Sequence, residues 1–190
     1  IIAADLVQGK IYTDSVYAAM AGGVEGLVAA QKKGTNLGLV SAALMQGWDT
    51  YIYSDPTVDV GILKAKDDEF FFKSKDANGE STICRQYLQS QAAAKFVGLS
   101  WTAETGLNVE DTKVYVGGKV VETNQGTAVD GAFRVVYEAD EIHPLNHFST
   151  ESTGYVVDFF YNAFGTPDGH KYIKSTNQVW VLKEIMATIG

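Results

Sequence analysis

The sequence predicts an α/β fold in which a mainly parallel sheet is flanked by helices and carries a small β-hairpin insertion near residues 104–131. Three observations lead there. Apolar runs of strand length recur at residues 37–47 (LGLVSAALMQG), in the first half of 58–72 (VDVGILKAKDDEFFF) and at 131–139 (GAFRVVYEA). They are continuous rather than alternating, the pattern of strands covered on both faces. Segments with helix start and stop signals lie among them, and the period changes once, at residues 113–121, to the alternation of a tight hairpin.

In chain order, residues 13–33 read as a helix, with Thr13 or Asp14 as N-cap, many alanines, and a basic end before Gly34. Gly22, Gly23 and Gly26 each cost about 1 kcal/mol inside a helix, which close packing on a sheet would justify. The strand at 37–47 follows. Trp48, Asp49 and the aromatics of 51–53 then lead through SDP to the next strand. That strand stops at Asp67 and Asp68, and the polar loop 73–81 carries an Asn78-Gly79 turn signal. One helix is expected over 82–98, closing at Gly98. KVYVGGKVV (113–121) folds about Gly117-Gly118, and a strand over 131–139 is followed by an amphipathic helix over 149–164, with Ser149 as cap and Gly165 as stop. The expected organisation is an α/β domain over residues 1–165, incomplete at its N-terminus, then a linker and helical tail over 166–190.

Composition narrows the function classes. With 190 residues, 46% of them hydrophobic and 12% aromatic, the chain can fill a sizeable core. A formal net charge of −8 without a basic cluster opposes nucleic acid and anionic lipid as partners. The single cysteine, Cys84, excludes an internal disulfide and a multi-cysteine zinc site and leaves the compartment open. No apolar stretch approaches the roughly 18 to 20 residues of a membrane span, and the first residues lack the marks of a secretory signal. Because the sequence starts at Ile1 and ends on an interrupted apolar segment, it is expected to be a piece of something longer.

The chemistry-bearing residues fall at strand ends. In open α/β sheets, ligands collect at the carboxyl edge, where Asp67 and Asp68 stand after one strand and His143 and His147 after the next main one. Pro144 biases His143 toward an extended backbone and limits its freedom, which suits a positioned base. A carboxylate that accepts one imidazole N–H fixes the tautomer and lets the other nitrogen take a proton from a hydroxyl. The two histidines are four apart, but Pro144 opposes a helical pair and no third ligand is evident, so neither a metal nor a cofactor is expected.

VGILKAKDDEFF resembles, without gaps, the penultimate strand and acid loop of the α/β-hydrolase superfamily. There an aliphatic strand runs into a Gly-x-x-Asp turn; Ala65 replaces the glycine, and Asp68 falls on the acid. RVVYEADEIHPLNHFS, followed by a helix ending in VVDFF, is similar to that fold's last strand, histidine loop and final helix. The resemblance spans residues 37–164 and has the required order, acid before histidine. It implies Asp68 and His143 as acid and base, with Asp67 and His147 as rivals. More narrowly, QGWD, DEFFF and HPxxHFS are similar to bacterial hydrolase-like proteins whose soluble domain precedes several membrane helices. That implies an extracytoplasmic place and a membrane tether outside this chain.

A nucleophile is missing from the pattern. Gly-x-Ser-x-Gly does not occur; Ser100 follows the acid, and Ser15 and Ser41 lack a glycine frame. Two expectations follow. In one, an upstream segment supplies the serine, and the whole protein attacks an ester, thioester or amide of a small-molecule or peptide substrate. In the other, the chain is a non-catalytic binding or sensing module, with Trp48, Tyr51, Tyr53 and Phe70, Phe71 and Phe72 lining a pocket.

Overall fold

The computed structural model describes residues 42–45, 59–69, 71–76, 78–100 and 108–189. Among them, five strands, β1 (Ala42–Met45), β2 (Asp59–Ala65), β3 (Val114–Val116), β4 (Lys119–Val121) and β5 (Arg134–Ala139), form one sheet in the order β1-β2-β5-β3-β4. β2 runs parallel to both β1 and β5, in a register that sets Val60 opposite Arg134 and Ala65 opposite Ala139. The two strands therefore end side by side.

The fold is of α/β type, with helical segments on both faces. On one face Val60, Ile62 and Val136 pack with Tyr87, Ala93 and Phe96, from a 3₁₀ turn (Cys84–Gln89) and α1 (Gln91–Phe96). On the other, Leu63, Val135 and Tyr137 pack with Phe159 and Val156 of α2 (Thr150–Phe164). Alternation along β2 and β5 sends even-numbered side chains to the first face and odd-numbered ones to the second. Both faces are apolar because both are covered, which is why the strands read as continuous runs.

Four expectations are corrected. The sheet is mixed, not mainly parallel, because β3 pairs antiparallel with both β4 and β5. The hairpin is no appendage. Before β3 begins, Thr112 N donates to Val136 O (2.9 Å) and the Asp111 carboxylate accepts from Glu138 N (2.8 Å), so the chain is laid along β5 and continues the sheet. The helix expected over 82–98 is broken at Ser90, whose backbone is extended (φ −87°, ψ 157°) and whose hydroxyl accepts from Ala93 N (3.2 Å). Serine competes for backbone donors, so at this position it caps a new helix instead of continuing the old one. Finally, His143 does not lie in an extended segment. It opens a 3₁₀ turn, His143–Leu145, with Ile142 as the extended residue before it and Asn146 N donating to His143 O (3.3 Å).

The turn of the β3–β4 hairpin follows its sequence. Gly117 and Gly118 both have positive φ (55° and 77°), the requirement of a type I′ connection. A Cβ on Gly118 would stand 2.2 Å from the Gly98 carbonyl oxygen, so the second glycine is also demanded by a close backbone approach.

α2 is capped by Ser149, whose hydroxyl accepts from Ser152 N (3.3 Å), and it stops at Gly165. Beyond it, residues 166–178 lie along α2, tied by Ser175 Oγ donating to Asp158 (3.0 Å) and Gln178 Nε2 donating to Thr150 O (2.9 Å). α3 (Trp180–Ile189) has no buried residue. No helix among the described residues is long and apolar enough to cross a membrane. The helix expected over 13–33 lies outside the described residues, as does most of the strand expected over 37–47.

Candidate acid and base site

Adjacent parallel strands bring the two loops together. Beyond the strand ends the pairing continues through Lys66 N donating to Ala139 O (2.8 Å) and Asp67 N donating to Glu141 O (3.1 Å). These bonds fix the acid turn against the histidine loop. Across them, Asp68 Oδ2 lies 2.6 Å from His143 Nδ1. A carboxylate only accepts, so Nδ1 carries the proton and Nε2 is left free to accept one. The Asp68 side chain is fully buried and that of His143 is 22% exposed, so the pair is screened at its acid end and open at its base.

The acid is held from several sides. Its second oxygen, Oδ1, accepts from Phe71 N (2.8 Å), and the Phe71 ring packs on the His143 ring with centroids 5.0 Å apart. Phe72 then turns into the core with φ 61°, an uncommon conformation for a bulky residue, and meets Tyr87 edge-on. Just before the acid, the Ala65 carbonyl oxygen accepts three donors: Lys64 Nζ (3.1 Å), Cys84 Sγ (3.3 Å) and Asp68 N (3.3 Å). Lys64 is fully buried, and its ammonium also bonds Glu138 Oε2 on β5 (2.7 Å). A buried cation survives only when paired and hydrogen-bonded, and here its partners are the turn and the neighbouring strand.

The histidine loop is braced by α2. Asn146 is buried and accepts from Ser152 Oγ (3.0 Å), while Glu151 Oε2 accepts from Asp140 N (3.0 Å).

The rival residues are placed differently. Asp67 forms a two-pronged ion pair with Arg85, Nη2 donating to Oδ2 at 2.9 Å and Nε to Oδ1. That guanidinium holds the Asp67 carboxyl below the usual carboxylate range. His147 is exposed and bonds no described residue. Of the expected pocket aromatics, Trp48, Tyr51, Tyr53 and Phe70 lie outside the described residues, Phe71 sits on His143, and Phe72 is core.

An open depression of about 390 Å³ adjoins the acid turn, lined by Lys66, Asp67, Asp68, Glu69, Cys84 and Arg85, with Ile83 at its edge. Cys84 is no ready nucleophile there. It is buried, its thiol donates to a carbonyl, and burial pushes its pKa up, whereas reactive cysteines are thiolates in electropositive surroundings. Ser100 is exposed in the segment after α1. Among the described residues no hydroxyl or thiol bonds His143, and no group of three His, Cys, Asp or Glu is arranged to hold a metal ion. As it stands, the arrangement can polarise an imidazole and accept a proton at Nε2.

Sequence reasoning missed Lys64 and Glu138. The signal was present, because Lys64 interrupts an otherwise apolar buried strand and Glu138 interrupts its neighbour one residue from the end. Paired charges at matching depth in two covered strands mark a buried ion pair. No protein-family model matches this chain, and no curated protein or solved structure matches it either.

Proposed function

We propose that the chain supplies the acid and base of a serine hydrolase of α/β-hydrolase type, cleaving an ester, thioester or amide through an acyl intermediate. One observation carries the reading: Asp68 Oδ2 meets His143 Nδ1 at 2.6 Å at the carboxyl ends of two adjacent parallel strands. In such an enzyme Asp68 orients the imidazole and stabilises its protonated form. His143 Nε2 takes the serine proton and returns it to the leaving group. The nucleophile comes from outside the described residues, as do the donors for the developing oxyanion. The membrane tether and extracytoplasmic place implied by the sequence resemblance belong to the same proposal. A fluorophosphonate probe applied to the full-length protein tests it. Serine labelling that His143→Ala abolishes is expected; absence of labelling, or labelling and turnover unaffected by His143→Ala, overturns it.

A second reading is a binding module on a hydrolase-like scaffold, in which the dyad only braces two loops. It is favoured by the lack of a hydroxyl on His143 among the described residues. Saturable binding of an ester or peptide to the full-length protein without turnover would select it.

A further inference from the structure

The second face of the sheet carries a polar cleft that shares no lining residue with the acid and base site. It lies between α2 and the segments on either side of the hairpin, and its volume is about 200 Å³. Pockets for drug-sized ligands begin at about 300 Å³, so its occupant is smaller.

Its floor is Tyr137 of β5, 2% exposed, whose hydroxyl has no hydrogen-bond partner among the described residues. The Asn162 carboxamide stands beside that hydroxyl without completing a bond of proper geometry. Buried polar atoms in folded proteins are almost always paired, so an orphan hydroxyl at the base of a polar cleft points to a ligand or a water as its partner.

The walls choose between ligand classes. Thr112, Gln125, Asn162 and Tyr137 present hydroxyls and carboxamides, groups that both donate and accept. Asp158 is the one carboxylate, already accepting from Ser175 and pushed above its usual range by burial, and no Lys, Arg or His is among the described lining residues. An anionic ligand would therefore meet a negative charge and no cation. A ligand rich in hydroxyls could use every wall. Tyr172, crossed by Tyr161 at a centroid distance of 4.9 Å, adds an aromatic ring among the lining residues, a surface of the kind against which the C–H face of a sugar packs. Thr112 holds φ at 64°, a strained choice for a β-branched residue, and strain of this kind gathers at ligand sites.

We propose that this cleft is a binding site for one neutral, polyhydroxylated ring of monosaccharide size, with the Tyr137 hydroxyl as its deepest hydrogen-bonding group. Heteronuclear NMR titration of the full chain tests it with D-glucose, D-galactose, D-mannose and N-acetyl-D-glucosamine, and with methylammonium and inorganic phosphate as charged controls. At least one sugar should bind at millimolar concentration, shifting the amide signals of Thr112, Gln125 and Asn162. Tyr137→Phe removes only the orphan oxygen. It should leave Tm equal or higher without sugar and weaken binding about tenfold, the equivalent of one hydrogen bond. Gln125→Ala, at an exposed position, should weaken binding without touching the fold. Three results would each overturn the proposal: no sugar binding, tighter binding of methylammonium or phosphate than of any sugar, or a Tyr137→Phe protein that binds sugar as well as the wild type.

Discussion

Replacing Lys64 with methionine probes the ion pair beneath the acid turn. Methionine keeps the length of the side chain and removes its charge. Lost are the 2.7 Å bond to Glu138 and the 3.1 Å bond to the Ala65 carbonyl; left behind is the Glu138 carboxylate, 15% exposed, on β5. Removing one partner of a buried pair costs about 3–5 kcal/mol, chiefly through the orphaned charge. Since Glu138 keeps some reach to water, the expected loss is about 3 kcal/mol, the lower end of that range. Lys64→Met with Glu138→Leu removes the orphan and should return to within about 1 kcal/mol of wild type, about 2 kcal/mol more stable than Lys64→Met alone. Urea unfolding at constant m measures each term. Positioning is a separate matter. Both variants lose the bonds from Nζ to the turn carbonyls, so in both the proton shared by Asp68 and His143 should exchange with solvent faster than in wild type. A single variant that loses less than about 1 kcal/mol, or a double variant no more stable than the single, would refute the reasoning.

Asp68→Asn should keep the fold, because its carbonyl oxygen can still accept from Phe71 N, but its amide would donate to His143 Nδ1 and move the imidazole proton to Nε2. ¹⁵N chemical shifts of the ring report the tautomer, and an unchanged tautomer would contradict the assigned hydrogen bond. Burial pushes the Asp111 carboxyl up to about 6 from the ordinary 3.8. The folded state then holds a proton that the unfolded state has released, so this group's contribution is full below about pH 4 and is lost as pH rises through 6. With allowance for its partial solvent access the loss is on the order of 1 kcal/mol, and Asp111→Asn should flatten the fall in Tm between pH 4 and 7; a slope unchanged in the variant counts against it. Gly118→Ala should cost at least about 2 kcal/mol, because it adds a Cβ at positive φ against the Gly98 carbonyl, whereas Gly117→Asn, with open space around it, should stay within about 0.5 kcal/mol. Equal Tm losses at the two glycines would show that the close approach is not there. Ser90→Ala removes the cap of α1 and should lower stability by about 1 kcal/mol in thermal or urea unfolding.

What the sequence disclosed depended on how local the cause was. Gly117-Gly118 fixes its hairpin through backbone conformation alone, and Ser149 and Gly165 bound α2 through caps, so these were legible. Ser90 was not, because a serine between two helix-like segments reads equally well as an interior residue or as a cap. The mixed sheet was also hidden. It depends on which strand β3 meets, and that choice is made by Thr112 N and the Asp111 carboxylate reaching β5, contacts 24 and 27 residues away in sequence for which no periodicity speaks. At the site, the order of strands and acids along the chain carries topology, and it set Asp67, Asp68, His143 and His147 at strand ends. The choice against Asp67 rested on resemblance, and in space it rests on Arg85, whose place after the acid loop shows no charge pattern that announces the pairing.

The acid turn is costlier than a strand end needs to be. A left-handed Phe72 stores on the order of 1–3 kcal/mol, and both Lys64 and Asp68 give up hydration. A turn serving only to leave the sheet would take glycine at the strained position and a solvated carboxylate at its tip. What these costs secure is narrow: one oxygen, Asp68 Oδ2, aimed at one nitrogen, His143 Nδ1, with Phe71 bonding the other oxygen and its ring packed, tilted, against the imidazole. A binding module gains from a well-placed histidine but has no need of a buried acid that dictates which nitrogen is protonated. Proton transfer from a hydroxyl does, because it requires Nε2 to be the bare nitrogen at the moment of attack. The direction in which the turn spends its stability is our reason for ranking the proposed hydrolase reading above the binding one; in that proposal the serine hydroxyl would stand on the Nε2 side of His143.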